Sequence, residues 1–385
     1  MRILLINFEY PPLGGGGGVA SRDIAEYLAG HHAVHVLTTA YEGLPKEEVK
    51  NGVHIHRIRV LGRSSLPTAS LFSLITFAPA ALFAGIRLLL TQRSDVIYAQ
   101  FVIPSGLPAG LLSKLFHIPF VLTFIGGDVY DPSKGVSPHL HALLRMLIRW
   151  IASSAHARTA ISHDTKSRTM ELHGVKEDIA VVPIGFHPQV FLPVSRESLE
   201  YEEADFLCVS IGRLVPRKGY DVLLRAWKEL PNAKLAIIGD GPLRASLHER
   251  IYAYGLENRV QLLGRVDEEK KLQILQASSL YVSAAQHEGF GIVFLEAMNA
   301  GLPIVAANDG GQKDFLVPGK NALLVPPHDT KAIVQAVNDM QANTDMREAF
   351  SRQNKEDAKT YTLDRTAGAI EKILMQTKQD YGRHH

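Results

Sequence analysis

Short runs of aliphatic and β-branched residues alternate with longer stretches of helical periodicity, and this alternation runs through the chain twice. The first series of expected strands is Arg2–Phe8, His35–Thr39, His54–Val60, Val96–Gln100, Phe120–Phe124 and Thr159–Ser162. The second is Phe206–Ile211, Lys234–Ile238, Val260–Leu263, Leu280–Ser283, Pro303–Ala306 and Ala322–Val325. Strands separated by helices make βαβ units and a parallel sheet. Two series imply two α/β domains, and 385 residues is long for one hydrophobic core. Between the series lie Val182-Pro183-Ile184-Gly185-Phe186-His187-Pro188, Leu192-Pro193 and the acidic stretch Glu197–Asp205, which together read as a linker. The boundary is expected near residues 185–200. Two Rossmann-like domains facing each other would form a cleft at the carboxyl ends of their strands.

Composition narrows the function classes. Hydrophobic residues at 46% and charged residues at 21% suit a soluble globular chain rather than a disordered one. A net charge of +2 gives no global reason to expect a nucleic-acid partner, though a local basic site remains open. The single cysteine, Cys208, lies in an aliphatic strand and reads as a buried small residue. It excludes an intrachain disulfide and favours a reducing, cytoplasmic location. The amino terminus Met1-Arg2-Ile3-Leu4-Leu5-Ile6 reads as a first strand, not a targeting signal. The stretch Leu71 to Leu90 approaches the length of a membrane span. Pro79 and Arg87 within it favour a core helix or a helix seated on a membrane surface.

Three segments carry chemistry. Gly14-Gly15-Gly16-Gly17-Gly18 follows the first strand and precedes a helix expected from about Val19. Five glycines bury nothing and cost backbone entropy, so close approach to a ligand is expected rather than packing. The second segment, Ser210-Ile211-Gly212-Arg213-Leu214-Val215-Pro216-Arg217-Lys218-Gly219, brings three cations to a strand's carboxyl end. A helix is expected after it, from Asp221 to Leu230. Arginine forks and a lysine point charge suit a diphosphate. The third runs from Glu288-Gly289-Phe290-Gly291-Ile292 to Glu296 and Gly301, a loop entering a helix whose first amides would face a phosphate. Histidines such as His31-His32 and His54-x-His56 lack acidic or cysteine partners at ligand spacing, so no metal site is expected from them. Ser162 is expected to cap the helix that begins at His163.

Taken in order, these segments resemble the retaining glycosyltransferases of family 4, of GT-B fold, over essentially the whole chain. Glu288 and Glu296 resemble that family's E-x7-E motif, and Arg213 and Lys218 its basic pair on the donor diphosphate. Ile238-Gly239-Asp240-Gly241-Pro242, Leu263-Gly264, Gly310-Gly311 and Asn321-Ala322-Leu323-Leu324-Val325 match further family segments. The resemblance implies residues 1–190 as an acceptor-side domain and 191–360 as a nucleotide-sugar domain. It implies that residues 361–385 form a helix crossing back to the first domain. It assigns catalytic roles to Glu288, Arg213 and Lys218. Donor contacts are implied for Gly16, Gly17, Gly18, Gly212, Gly241, Val266, Phe290, Gly291, Ile292 and Glu296, and acceptor-side positions for Gly127 and Asp128.

One family position departs: Phe124-Ile125-Gly126-Gly127-Asp128 carries Ile125 where a histidine is usual. Isoleucine transfers no proton and donates no hydrogen bond. This keeps open an inactive nucleotide-sugar-binding subunit, and an epimerase of the same fold stands as a further alternative. No Asp-x-Asp pair is present to hold a cation against a diphosphate, so no metal or other cofactor is expected. The implied partners are a UDP- or GDP-linked sugar and a glycan, lipid-linked or small-molecule acceptor, with peripheral contact at the inner membrane face left open.

Overall fold

The computed structural model describes residues 1–63, 65–66 and 68–384; the terminal His385 lies outside them. The chain divides into two compact units, Met1–Gly185 together with Leu363–His385, and Phe186–Thr362.

In unit 1, β1 (Arg2–Ile6) leads through α1 (Gly16–Ala29) to β2 (Ala33–Thr39), and then to β3 (Glu47–Lys50) and β4 (Val53–Ile58). There follow α2 (Leu71–Thr91), β5 (Val96–Gln100), α3 (Leu107–Phe116), β6 (Phe120–Phe124) and α4 (Ala142–Ser154). β7 (Ala157–Ala160), α5 (His163–His173) and β8 (Ala180–Val181) complete the run. The strands lie in the order β3-β4-β2-β1-β5-β6-β7-β8, all parallel except β3, which is antiparallel to β4. Ile3, Leu4, Leu5 and Ile6 of central β1 have no exposed surface, because helices cover both faces of the sheet. One helical layer, α2, α3 and α4, contributes Phe77, Leu112 and Ile148 to the core. Ser162 Oγ accepts the Thr165 amide at 3.0 Å and caps α5, as the sequence led us to expect.

In unit 2 the pattern repeats with β9 (Phe206–Ile211), α6 (Tyr220–Trp227), β10 (Ala233–Ile238), α7 (Arg244–Ala253) and β11 (Val260–Gly264). It continues with α8 (Glu268–Ala277), β12 (Leu280–Ser283), α9 (Ile292–Asn299), β13 (Ile304–Ala307), β14 (Ala322–Val325), α10 (Thr330–Ala342) and α11 (Thr344–Ala358). All six strands are parallel, in the order β11-β10-β9-β12-β13-β14. Cys208 is fully buried in β9. The final helix, α12 (Leu363–His384), belongs to unit 1. Leu363, Ile370 and Leu374 pack there with Ile24 and Leu28 of α1, on the face of the sheet opposite α2–α4.

Every expected strand is present, with ends displaced by three residues at most. Two strands were not expected. β3 reads Glu-Glu-Val-Lys and lies at an edge, and β8 has two residues, so neither carries an aliphatic run. The glycine run also differs from expectation, because α1 begins at Gly16 rather than near Val19.

The strand orders locate the chemistry. In unit 2 the chain moves outward from β9 to β11 and then returns to the other side of β9 at β12. The loops after β9 and β12 therefore diverge, and such a switch point is where open α/β sheets bind ligands. In unit 1 the equivalent point lies between β1 and β5.

Candidate active site

Backbone contact between loops comes first, because it fixes where side chains can stand. After β9, the Gly212 amide donates to the Ile238 carbonyl (2.9 Å) and the Leu214 amide to Asp240 (3.0 Å). The Gly239 amide donates to Gly264 at 2.8 Å, bringing in the loop after β11. Gly239 has φ +142°, and a Cβ there would lie 2.0 Å from the Gly212 carbonyl oxygen. At Gly241 a Cβ would meet the Leu214 oxygen at 2.6 Å. These glycines let three loops pack backbone against backbone.

Across the switch point stands an ion cluster. Lys218 Nζ is hydrogen-bonded to Glu288 Oε1, and both side chains are largely buried. Arg217 Nη1 lies 3.9 Å from Glu288 Oε2 and donates to the His287 carbonyl at 3.1 Å. The Gln286 amide in turn donates to the Arg217 carbonyl at 2.8 Å. The loop after β9 is thus latched to the loop after β12. Burial works to raise the Glu288 carboxyl, but Lys218 and Arg217 outweigh it and hold the group below the usual carboxylate range. Burial, with Arg217 and Arg213 nearby, pulls Lys218 below the usual lysine value against the attraction of Glu288. Arg213 is half-buried on the same loop. At Gly212 a Cβ would come within 3.2 Å of Lys218 Nζ, so a side chain there would crowd the ammonium. The Glu288 backbone is seated by Gly310 and Gly311: the Gly311 amide donates to the Glu288 carbonyl at 2.7 Å.

Gly291, at φ +94°, is the N-cap of α9 and, being glycine, offers no side-chain cap to the amides of the first turn. An amino terminus of this kind favours an anion. Ile292 is its first residue. The Phe290 ring is buried against Phe315, with centroids 5.1 Å apart, so only its backbone faces the loop side. One turn into the helix, Glu296 Oε1 accepts from Lys271 Nζ at 2.9 Å, and Lys271 also meets Glu268 at 2.9 Å. Burial pushes Glu296 above the usual carboxylate value despite Lys271. Val266 is half-buried on the loop between β11 and α8.

In unit 1, the structure corrects the reading that the glycine run has no packing role. A Cβ at Gly17 would lie 2.7 Å from Phe101 Cζ and 3.2 Å from Ile125 Cγ2. At Gly18 it would meet the Leu13 oxygen at 3.0 Å, and at Gly14 the Glu9 carboxylate at 2.5 Å. Gly16 opens the helix. Gly17 and Gly18 therefore let the first turn of α1 pack against its surroundings, and Gly14 leaves room for the Glu9 side chain just before it. Gly127 is exposed after β6. Asp128 is buried: its Oδ2 accepts the Val102 amide at 2.6 Å and its Oδ1 the Ile125 amide at 3.0 Å. Burial pushes its carboxyl up to about 6, against those amides. Both oxygens staple the loops after β5 and β6 together.

The family model for glycosyl transferases group 1 matches residues 193–357, and that for the glycosyl transferase 4-like domain matches residues 15–185. The chain is a family 4 glycosyltransferase. It is 26% identical to an N-acetyl-alpha-D-glucosaminyl L-malate synthase of Bacillus anthracis, over 88% of each chain. Among solved structures, it is similar to a sucrose-phosphate synthase from Thermosynechococcus elongatus, with TM-score 0.84, 21% identity and 98% of each chain covered. Anabaena Alr3699/HepE in complex with UDP-glucose matches with TM-score 0.79 and 21% identity, over 98% of this chain and 100% of that one. These likenesses give the GT-B fold.

In this glycosyltransferase the sequence reading named Glu288, Lys218, Gly212 and Gly241, and the structure gathers them at the strand ends of unit 2. It had not singled out Arg217 and Lys271 as partners of the two glutamates. Lys271 stands in Glu268-Glu269-Lys270-Lys271, which looks like a solvated helix face. The acid–base spacing from Lys271 to Glu296 spans two helices, so only the fold reveals it.

Two outcomes are expected. Gly239→Ala should destabilise the protein by about 3 kcal/mol or more, because it adds both backbone strain and a clash; denaturant unfolding checks it. The Asp128 carboxyl binds its proton more tightly folded than unfolded, so its contribution to stability is present at low pH and falls as pH rises through about 6. Asp128→Asn, which cannot ionise, should therefore gain on the natural protein by about 2 kcal/mol between pH 4 and pH 7. Urea midpoints of both proteins across that range measure it, and a constant difference would refute the assignment.

Proposed function

We propose that this enzyme transfers a hexose-type sugar from a UDP- or GDP-linked donor to a hydroxyl of a glycan, lipid-linked or small-molecule acceptor, with retention at the anomeric carbon. The observation that carries the reading is the buried Lys218–Glu288 pair with Arg217 against it and Arg213 near the Lys218 ammonium, in the same unit as an α9 amino terminus whose N-cap is a glycine. Arginine forks, a lysine ammonium and helix amides at one strand end are the donor set that suits a departing diphosphate. HepE, structurally similar to this chain, has been crystallised with UDP-glucose, which supports a nucleotide-sugar donor here.

In the proposed reaction, the bond from the anomeric carbon to the β-phosphate oxygen breaks, and its electron pair departs with the nucleoside diphosphate. The acceptor oxygen bonds to the same carbon from the face the phosphate leaves, and its proton passes to a phosphate oxygen. No protein base is needed in that scheme, so Ile125 is compatible with turnover. Arg213, Lys218 and the first amides of α9 carry the developing charge in place of a metal, and Glu288 takes donor sugar hydroxyls. One well-aimed donor of this kind supplies roughly 3–4 kcal/mol to a barrier. Glu296, held by Lys271, takes the ribose hydroxyls in this scheme.

Thermal-shift binding against nucleoside diphosphates and nucleotide sugars, followed by NMR of the product's anomeric centre, tests the reading. Selective stabilisation by one diphosphate and a retained configuration are expected. No stabilisation by any of them would overturn it. Arg213→Ala, which leaves the Lys218–Glu288 pair intact, should lower turnover by about 100-fold or more with the fold unchanged; Lys218→Ala should lower it by at least as much and should also cost stability, since it strips the buried Glu288 of its main cation. Full activity should persist in excess chelator, and a strict divalent-metal requirement would contradict the scheme.

A further inference from the structure

Helix α2 is built inside out. Its buried stripe is Ser73, Phe77, Ala81, Gly85 and Leu89, three of which are small. A Cβ at Gly85 would lie 2.4 Å from Leu112 Cδ1, so the helix is pressed against α3. The stripe facing solvent is the large one: Phe72, Ile75, Pro79, Phe83 and Leu90 fall on one side at helical spacing, with Phe83 and Leu90 each 74% exposed. The soluble pattern is the reverse. The opposite arrangement is what a helix lying in an apolar surface requires.

The neighbouring helices of the same layer continue the face. On α4, Leu143, Met146 and Trp150 are exposed at i, i+3 and i+7, with Leu143 at 75%. On α3, Leu111 and Leu115 are exposed, and Lys114 Nζ sits 4.7 Å from the Trp150 ring centroid, which brings α3 and α4 side by side.

Charge says what covers this face. Helices α2, α3 and α4 contain no Asp or Glu, while Arg87, Lys114, Arg145 and Arg149 are exposed on them. From Val49 to His163 the sequence has 11 Lys or Arg and three acids, of which Asp128 and Asp131 are buried and Asp95 pairs with Lys378. The other layer differs: α12 alone carries Asp364, Arg365, Glu371, Lys372, Lys378 and Asp380, both signs interspersed. A protein partner for an apolar face needs no such one-sided charge. An anionic lipid surface does: apolar side chains enter the acyl boundary, a tryptophan seats at the headgroups, and Lys and Arg meet lipid phosphates.

We propose that the α2–α3–α4 face of unit 1 docks on an anionic bilayer surface, with α2 lying along it. The core contacts of Phe77 and Leu89 keep α2 on unit 1, so the helix seats in the interface rather than crossing. This proposal stands independently of the donor chemistry above.

Co-sedimentation with vesicles of phosphatidylcholine, with and without phosphatidylglycerol, tests it on the full chain. Binding is expected to the anionic vesicles at low salt, and to weaken by about tenfold or more without anionic lipid or at about 1 M salt, where the screening length is about 3 Å. Ile75→Ser with Phe83→Ser should reduce partitioning by about tenfold or more. Arg87→Ala with Arg145→Ala should flatten the lipid-charge dependence. Tyr252→Ser, which removes an exposed aromatic in unit 2, should change nothing. Thermal-shift binding of nucleoside diphosphates should be the same in all variants, which separates this test from that of the donor site. Absence of binding to anionic vesicles at low salt would overturn the proposal. So would equal binding by the Ile75/Phe83 variant, or a dimer in sedimentation velocity that this variant dissociates.

Discussion

The buried carboxylate of Glu288 is the group around which unit 2 arranges its site. A carboxylate removed from water stays charged only beside a cation, and removing either partner of such a pair typically costs about 3–5 kcal/mol. Lys218 and Arg217 come from the loop after β9 and Glu288 from the loop after β12, so the ion cluster also sets the spacing of two diverging strand ends. Gly212 leaves room for the ammonium, Gly219 lets its loop pass close to the Ala284 carbonyl, and Gly310 approaches the Glu288 backbone. A pair of apolar residues would hold the same loops at lower desolvation cost. The ionic solution brings arginine and lysine groups to the switch point, the donor types that the proposed diphosphate chemistry uses.

Much of this was legible because fully buried parallel strands must be aliphatic throughout, which makes them conspicuous. β3 and β8 escaped because an edge strand need not be aliphatic and a two-residue strand cannot show a period. The start of α1 escaped for another reason. Glycine is a poor helix former, so propensity placed the helix after the glycines, and tertiary packing overrode it. Gly17, in the first turn, sits against Phe101, where a side chain would have no space. The chemistry-bearing residue types were legible from their order along the chain. Their partners were not, since Lys271 and Glu296 meet across two helices.

The same packing explains how Ile125 is accommodated. Its Cγ2 lies where a Cβ on Gly17 would come within 3.2 Å, beside Phe101, so it belongs to an apolar patch under the glycine turn. Its own amide is held by Asp128. The loop is therefore fixed from the backbone, by a carboxylate whose oxygens are both taken by amides. The family resemblance implied an acceptor-side position for Asp128. Burial makes it a brace for the loops after β5 and β6, and the backbone at 125 is held by that brace whatever the side chain.

Orientation is what the amino-acid order conveyed least. Pro79 and Arg87 weigh against a span in the apolar stretch Leu71 to Leu90, but its composition does not separate a core helix from a surface-seated one. The fold separates these by showing which stripe packs inward. A core helix of this length would bury its large side chains and expose its small ones, since each buried methylene contributes about 0.8 kcal/mol. α2 does the opposite, giving up that contribution from Phe72, Ile75, Phe83 and Leu90 while burying Ser73, Ala81 and Gly85. The small stripe nonetheless has its own logic, because it lets α2 approach α3 closely and present a broad, shallow outer face. The sacrifice in burial and the one-sided charge lie on the same three helices, and no feature of the parallel sheet requires either.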